Sequence, residues 1–564
     1  MTCKIKHNNN TSMPDAVKII TDVKYIRVRA PFSFKDRLKA IGGRWNPAGG
    51  NWLFPRTHGI AKKIWEVFKH ASHVFVRGFV ADDEFRWLVA TGKPDDADEF
   101  KTRVDLPDPP SKTTAWDHQR QAYWYAASMP STMLAMDMGT GKSKVAVDVV
   151  SNMDSRLTLI LCPKSVINVW PREFAAHSDK PFDIFRATQA SGVKKEKAAR
   201  EAMTLAHVKK RPFVCVINHE ASWREPFDKF IHETEWHCII VDESHRAKAP
   251  KGKFATFLAS LAHKPARKLM LTGTPMPHSP LDIFAQYKFL EPAIFGTSYF
   301  RFKTHYGIMG GFQNKAVVGF QHQDELHDKL YSIAYRVTKE EALDLPEEID
   351  TRRDCPMDAA ALKLYADIES DFYAQVGTGE VTASNALSQM LHLQRITSGW
   401  LTTDDGVLTK VSDHKRLEFD AILDDLPEKE PLVVFARFRA DLDDIRKTAV
   451  DRGLAYGEVS GRQNDLTDRA EYPEDVDVMG VQIQAGGVGV DLTRASYAVY
   501  YSCGFSLGDY LQSRSRLHRP GQVNKVTFIH LTTPGTIDPM IYAALRRRRN
   551  LVEAVLKKEL PDDS

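Results

Sequence analysis

Two short runs more than three hundred positions apart carry residue types that would complete one anion site if the fold joined them. MGTGKSK, at 138–144, lacks side chains at Gly139 and Gly141, so the backbone N–H groups around Thr140 can approach phosphate oxygens closely. Lys142 supplies a charge for β- and γ-phosphates, and the Ser143 hydroxyl supplies a ligand for Mg2+. The pattern G-x-x-x-x-G-K-[ST] is incomplete, because Met136 stands where its first glycine belongs. A glycine turn before a helix is the plainer account of the loop taken alone. QSRSRLHRPGQ, at 512–522, reads as helical and sets Gln512, Arg516 and Arg519 on one face. A guanidinium is always charged and spreads its donors over a transferring phosphoryl group better than an ammonium does. A solvated basic helix is the competing account. Loop and arginines together imply ATP held between two lobes and hydrolysed there.

Three further runs fit such a site. DESH, at 242–245, follows the apolar HCIIV, which places its acids at the carboxyl end of a strand, where α/β sheets bind ligands. Asp242 is suited to hold Mg2+ and Glu243 to polarise an attacking water. An acidic strand end capping a helix is the alternative. LTGTP, at 271–275, ends another strand with small hydroxyl residues, and also makes an adequate turn. QAGGVGVDLT, at 484–493, offers Gly486, Gly487 and Gly489 for close approach to a phosphate, or for a tight turn between strand and helix.

The elements that must position these residues are legible in the hydrophobic patterning. TMLAM, LTLILC, FVCVI, HCIIVD and KLMLTG alternate with helical stretches between 132 and 273, and PLVVFARF, VDVMGVQIQ, SYAVYYS and KVTFIHLTT do so between 431 and 533. That rhythm predicts two α/β lobes, each a parallel sheet flanked by helices, at 114–345 and 346–555. The intervening 276–400 reads as mainly helical, and LSQMLHLQRI at 387–396 as an amphipathic core helix without chemistry. Ahead of the lobes, 18–91 reads as a small α+β module with a strand at 25–30, a helix at 34–41, a hairpin at 44–54 and a helix near 58–69. Residues 1–17 read as a disordered lead, 92–113 as an acidic, proline-bearing linker and 556–564 as a polar tail.

Composition narrows the class. With 564 residues, the chain is too long for one ordinary core, and about three or four compact units are expected. A hydrophobic fraction of 43% beside 27% charged residues is that of a soluble globular protein, and no apolar run is long enough to span a membrane. The start lacks a secretory stretch, and the six cysteines show no CxxC pairing, so reduced thiols in a cytoplasmic setting are expected. Residues 1–70 hold fourteen Lys or Arg against four Asp or Glu, while the remainder is net −6. The basic surplus at the front suits a polyanion, or merely solvated surface.

In this order, LAMDMGTGKS, LCPKSVINVWPREF, INHE, VDESHRAKAP, LTGTPMPHSPLDIF, QAGGVGVDLT and QSRSRLHRPGQ resemble the motifs of Swi/Snf-type ATPases of helicase superfamily two, over about 115–555. The resemblance implies two RecA-like lobes with helical insertions and an Asp-bearing lead in place of the first loop glycine. It implies that Gln119 reads adenine and that Lys164, Ser165, Arg437 and Thr493 lie along double-stranded or branched DNA. It further implies translocation on duplex DNA that remodels or reanneals it, or strips protein from it. A strand-separating DNA or RNA helicase is the nearer alternative, and a non-catalytic DNA-binding scaffold the more distant one. Gln484 and Ile483 depart from the family's usual Ser/Thr and Arg, and Ser244 from its alanine. The absence of long insertions argues against nucleosomes and suggests a bacterial or viral setting, with the nucleus expected in a eukaryote. The front module is similar to those of HARP-type annealing ATPases, with Arg44 as a candidate DNA contact and Trp45 and Trp52 read as core.

Overall fold

The computed structural model describes residues 17–21, 25–30, 34–46, 51–55, parts of 61–67, 79–81, 109 and, with short gaps, 111–557. The first lobe is built on seven parallel strands in the order Ala334–Val337, Ser131–Met136, Arg267–Leu271, Cys238–Asp242, Leu157–Cys162, Phe213–Asn218, Asp183–Arg186. The inner strands read as apolar runs because helices cover both faces and almost every residue is buried. The second lobe has six parallel strands in the order Glu348–Asp354, Val526–Thr532, Tyr497–Tyr500, Leu432–Ala436, Val478–Gln482, Tyr456–Val459. These are the two RecA-like lobes, α/β in class, with a small mixed sheet ahead of them.

Within the two lobe sheets, four strands escape the sequence patterning, and they are the four sheet edges. Asp183–Arg186, Ala334–Val337 and Tyr456–Val459 are only four residues long, while Glu348–Asp354 reads EIDTRRD and is exposed along most of its length. A short or one-sided strand has no continuous apolar run to reveal it. Helices dominate 276–400 as expected, but strands hidden for the same reason interrupt them. That stretch supplies two edge strands and the hairpins Gly307–Gly310 with Ala316–Phe320 and Tyr373–Val376 with Gly379–Thr382.

In the front module, Tyr25–Arg29 pairs with Asn51–Pro55, which pairs in turn with Arg44–Asn46, and the helix runs Lys35–Ala40. Trp45 and Trp52 face each other across the strands with ring centroids 5.4 Å apart. Trp52 is buried and Trp45 is 43% exposed, so only one of the pair is core. Arg44 is exposed beside Trp45. Most of the expected helix near 58–69, the lead at 1–17 except Val17, which opens the strand Val17–Thr21, and most of 92–113 lie outside the described residues. The end of that linker is docked: Lys112 N donates to His177 O at 3.0 Å, and Lys144 Nζ donates to Ser111 Oγ at 2.9 Å. The five described cysteines are buried thiols, and no helix of the described residues is long and apolar enough to cross a membrane.

Candidate nucleotide site between the lobes

Parallel register does the first assembly. Asp242 lies opposite Leu271, Leu271 opposite Leu134 and Met136 opposite Val337, so the loop at 137–141, the DESH turn, LTGTP and Lys339 leave one edge of the sheet together. The helix Lys142–Asn152 begins directly after the loop, which puts Lys142 and Ser143 in its first turn, where N–H groups and the helix dipole favour an anion. Gly139 and Gly141 adopt φ of +87° and +89°, the left-handed region that a side chain resists. Beneath the loop, Gln119 accepts from Trp116 N and donates from Nε2 to Thr140 O, both at 3.1 Å. His118 adds a contact from Nε2 to the same carbonyl at 2.8 Å. Gln119 is therefore tied to the loop itself.

Lys142 Nζ donates to Met136 O and Asp137 O at 2.8 and 3.0 Å. Burial lowers its pKa, and the nearby Arg516 adds to that, while Glu243, Asp137 and Asp242 oppose it. Burial, reinforced by the Glu243 charge, raises Asp242, whose Oδ1 accepts from Glu243 N at 2.9 Å. Glu243 is buried at φ +49° and ψ +51°, a left-handed conformation that costs a side-chain-bearing residue roughly 1–3 kcal/mol. Such strain persists only where surrounding structure holds it, and here it turns the carboxyl toward the second lobe. His245 Nδ1 lies 3.3 Å from Glu243 Oε2 and 3.2 Å from Thr272 Oγ1, which joins the DESH turn to LTGTP.

The second lobe closes on this edge. Gln512 Nε2 donates to Glu243 Oε1 at 3.4 Å, Ser515 Oγ donates to Met138 Sδ at 3.0 Å, and Lys339 Nζ donates to His518 O at 2.7 Å. A Cβ on Gly139 would lie 3.2 Å from Pro520 Cδ, so the loop and the arginine segment are in contact. The helix reading of that segment is corrected: Leu507–Arg514 is helical, but Arg516 and Arg519 follow it in turns. Pro520 disfavours helical backbone at the residue before it, and Gly521 at φ +104° bends the chain away. What fixes those turns is Arg514, which bonds Glu348 Oε2 at 2.7 Å and Asp350 Oδ1 at 2.5 Å and packs 4.0 Å over Phe528. Burial, then the adjacent Arg519 charge, pushes Arg516 down to about 10. Arg519 reaches Asp491 only at 3.7 Å, and its buried Nε has no hydrogen-bond partner among the described residues. Arg516 and Arg519 thus bring two adjacent cationic groups to the edge that carries the 138–141 loop and Glu243.

The donor set suits Mg2+, which binds through one or two carboxylates and keeps its remaining positions for water and phosphate oxygens. Asp242 and Ser143 supply that much, and among the described residues no group of three or more His, Cys, Asp or Glu could hold a metal by itself. Gly486, Gly487 and Gly489 lie outside the described residues. Lys164 and Ser165 are exposed on a turn after Leu157–Cys162. Arg437 donates from N to Ser502 Oγ at 2.8 Å and from Nη1 to Gln394, and the Thr493 hydroxyl donates to Asp491 Oδ1 at 2.7 Å. Those two second-lobe residues are thus engaged within the fold. Sequence reasoning missed Met138, Lys339, Ser515 and His518, whose inter-lobe contacts have no sequence signature.

Residues 48–399 match the family described as SNF2-related domain, well over half the chain. The chain belongs to that family. Its relatives include the chromodomain-helicase-DNA-binding protein 1-like of Danio rerio, 24% identical over 76% of this chain and 42% of that protein. Another is the DNA annealing helicase and endonuclease ZRANB3 of Mus musculus, 26% identical over 58% of this chain and 30% of that one. This SNF2-related chain thus spans less than half the length of these relatives. Among solved structures, the Sulfolobus solfataricus SWI2/SNF2 ATPase core in complex with dsDNA aligns over 80% of this chain and 95% of that one, at 21% identity and a TM-score of 0.38.

The loop geometry of this SNF2-related protein gives a direct prediction. Gly141→Ala forces a Cβ into left-handed backbone, 2.3 Å from Gln119 Nε2, and so displaces the amide that braces the loop. A fluorescent ATP analogue is expected to bind about tenfold more weakly, from roughly 1–2 kcal/mol of backbone strain plus the lost bracing. Unchanged affinity would show that the loop does not hold the triphosphate.

Proposed function

We infer that the protein is a DNA-dependent ATPase that translocates on duplex DNA, remodelling or reannealing it or stripping bound protein. One observation carries the reading: Gln512, Arg516 and Arg519 of the second lobe meet Glu243 and the 138–141 loop of the first. A nucleotide completed from two lobes ties its hydrolysis to their separation and closure, as a motor requires. ATP would be cradled by Gly139, Thr140, Gly141 and Lys142, with Gln119 near the base; Gly489, outside the described residues, stays a candidate phosphate contact on sequence grounds alone. Mg2+, held by Ser143 and Asp242, would neutralise charge on the β- and γ-phosphates. Glu243 orients and deprotonates the attacking water, while Arg516 and Arg519 stabilise the charge that develops on the transferring phosphoryl group. DNA would cross Lys164 and Ser165 on one lobe and the Arg437 and Thr493 regions on the other. Arg44 of the basic front module extends that track.

The relatives' names favour DNA over RNA, and one of them names annealing. A non-catalytic scaffold has no use for a strained, buried Glu243 facing paired arginines. The setting that goes with this function is bacterial or viral cytoplasm, or the nucleus of a eukaryote. ATPase rates compared across duplex, single-stranded, forked and RNA ligands test the reading. Duplex or forked DNA is expected to stimulate at least about tenfold, RNA not at all, and a triplex-forming strand to be displaced without unwinding of a plain fork. Stimulation by RNA, or unwinding without triplex displacement, favours a strand-separating helicase instead.

A further inference from the structure

A cavity of about 260 Å³ opens in the second lobe and shares no lining residue with the nucleotide site. Its walls come from three elements. The hairpin Trp400–Thr402 with Leu408–Lys410 gives Trp400 and Leu408; the helix Ala386–Thr397 gives Arg395; and the turn after Leu432–Ala436, with the start of the helix Arg439–Asp451, gives Phe438, Arg439 and Asp441. The aromatic walls are held in place. Trp400 Nε1 donates to Asp444 Oδ2 at 2.7 Å and Lys410 Nζ sits 4.5 Å over its ring, while the Arg395 and Arg437 guanidiniums lie 5.9 and 5.3 Å from the Phe438 ring.

Asp441 is the unusual member. It is fully buried, and its Oδ2 accepts from Phe438 N at 3.2 Å, from Ser398 Oγ at 3.4 Å and from Ser502 Oγ. Its Oδ1, also buried, has no hydrogen-bond partner among the described residues. Burial pushes this carboxyl up to about 7, so Oδ1 offers either a bare acceptor or a hydroxyl donor, and in both states it lacks a partner. A buried polar atom left alone is costly, and Asp441 belongs to the cavity wall.

Two aromatic walls, two cations and one unsatisfied carboxyl match an anion joined to a flat, polar-edged ring. We propose that the cavity receives one unpaired nucleotide of the DNA, its base stacking on Trp400 and Phe438, its polar edge on Asp441 and its phosphate on Arg395 and Arg439. The volume is below the roughly 300–1,000 Å³ of sites that enclose larger ligands, which limits the occupant to about one base and its sugar. Leu408 and Arg439 are exposed, so the cavity has an open rim through which a tethered base can enter. A paired base must first leave the stack, so forks, mismatches and ends are favoured over intact duplex. This proposal rests on DNA being the substrate and names the structure within it that is recognised.

The test uses the full chain and two DNAs, a continuous duplex and the same duplex bearing one unpaired 2-aminopurine. The unpaired base is expected to bind about tenfold more tightly, with its fluorescence quenched by stacking. Trp400→Ala and Arg395→Ala, on elements outside the Arg437 turn, are expected to remove the preference and the quenching, while duplex-stimulated ATP hydrolysis stays within about twofold. Equal binding of the two DNAs beside normal duplex stimulation overturns this proposal and leaves the motor reading intact. A preference that survives both variants overturns it too, as does displacement of the probe by micromolar free dAMP, which would make a free nucleotide the occupant. Failure to bind either DNA overturns both readings.

Discussion

Glu243→Gln is expected to bind ATP as tightly as the parent, or more tightly, and to hydrolyse it about a thousandfold more slowly with DNA present. The change is nearly isosteric, so the strained turn at φ +49° and the contact from Gln512 to Oε1 are kept. What is lost is the basic oxygen. An amide accepts no proton from water, and the general-base contribution, typically 10²–10⁴-fold, goes with it. Affinity does not fall, because the negative charge removed lies near Lys142 and Arg516, where it repels a triphosphate and competes for both cations. Equilibrium titration with a fluorescent ATP analogue and a steady-state phosphate-release assay separate the two effects. DNA-stimulated hydrolysis within tenfold of the parent would remove Glu243 from the chemistry.

The first-lobe half of this site was legible because parallel strands announce themselves twice, by an apolar run and by the chemistry at its carboxyl end. HCIIV followed by Asp242 and Glu243, and KLML followed by Thr272, need only parallel pairing to bring their ends together. The second-lobe half was legible as residue types but not as conformation. Spacing placed Gln512, Arg516 and Arg519 on one helical face, yet Pro520 and Gly521 end the helix early, and the arginines reach the site from turns held by Arg514. Arg514 looked like one more cation in a basic run; its role depends on Glu348 and Asp350, on an edge strand whose EIDTRRD sequence gives no apolar signal. Trp45 and Trp52 erred the other way, since cross-strand partners at a sheet edge share a contact but not a burial. Arg395 was missed because its helix read correctly as core-facing, and one polar residue beside a cavity leaves no trace in that pattern.

Arg519→Ala is expected to lower kcat for ATP hydrolysis by about three orders of magnitude and to change KM far less, the signature of a contact made in the transition state. Arg516 is depressed to about 10 by burial and by Arg519 beside it. At neutral pH the Arg516 guanidinium stays protonated, folded or unfolded. Bringing Arg516 into the fold with its charge therefore costs free energy in full at every pH below its folded value, and that cost fades only as pH rises from about 10 toward the value of a free guanidinium. Removing Arg519 relieves part of it, so the thermal midpoint of the nucleotide-free variant should equal or exceed the parent's. The stabilisation brought by ATP should shrink, since stabilisation by a ligand tracks its affinity for the folded state. Arg519→Lys should recover little of kcat, because an ammonium is a compact point charge without the planar fork that spans two phosphate oxygens. Hydrolysis within tenfold of the parent, or full rescue by lysine, would mean that Arg519 only stabilises the contact between the lobes. The nucleotide-free midpoint decides between the roles: an arginine kept for packing leaves a less stable protein when removed, whereas one held against its neighbour's charge for the sake of a phosphate does not.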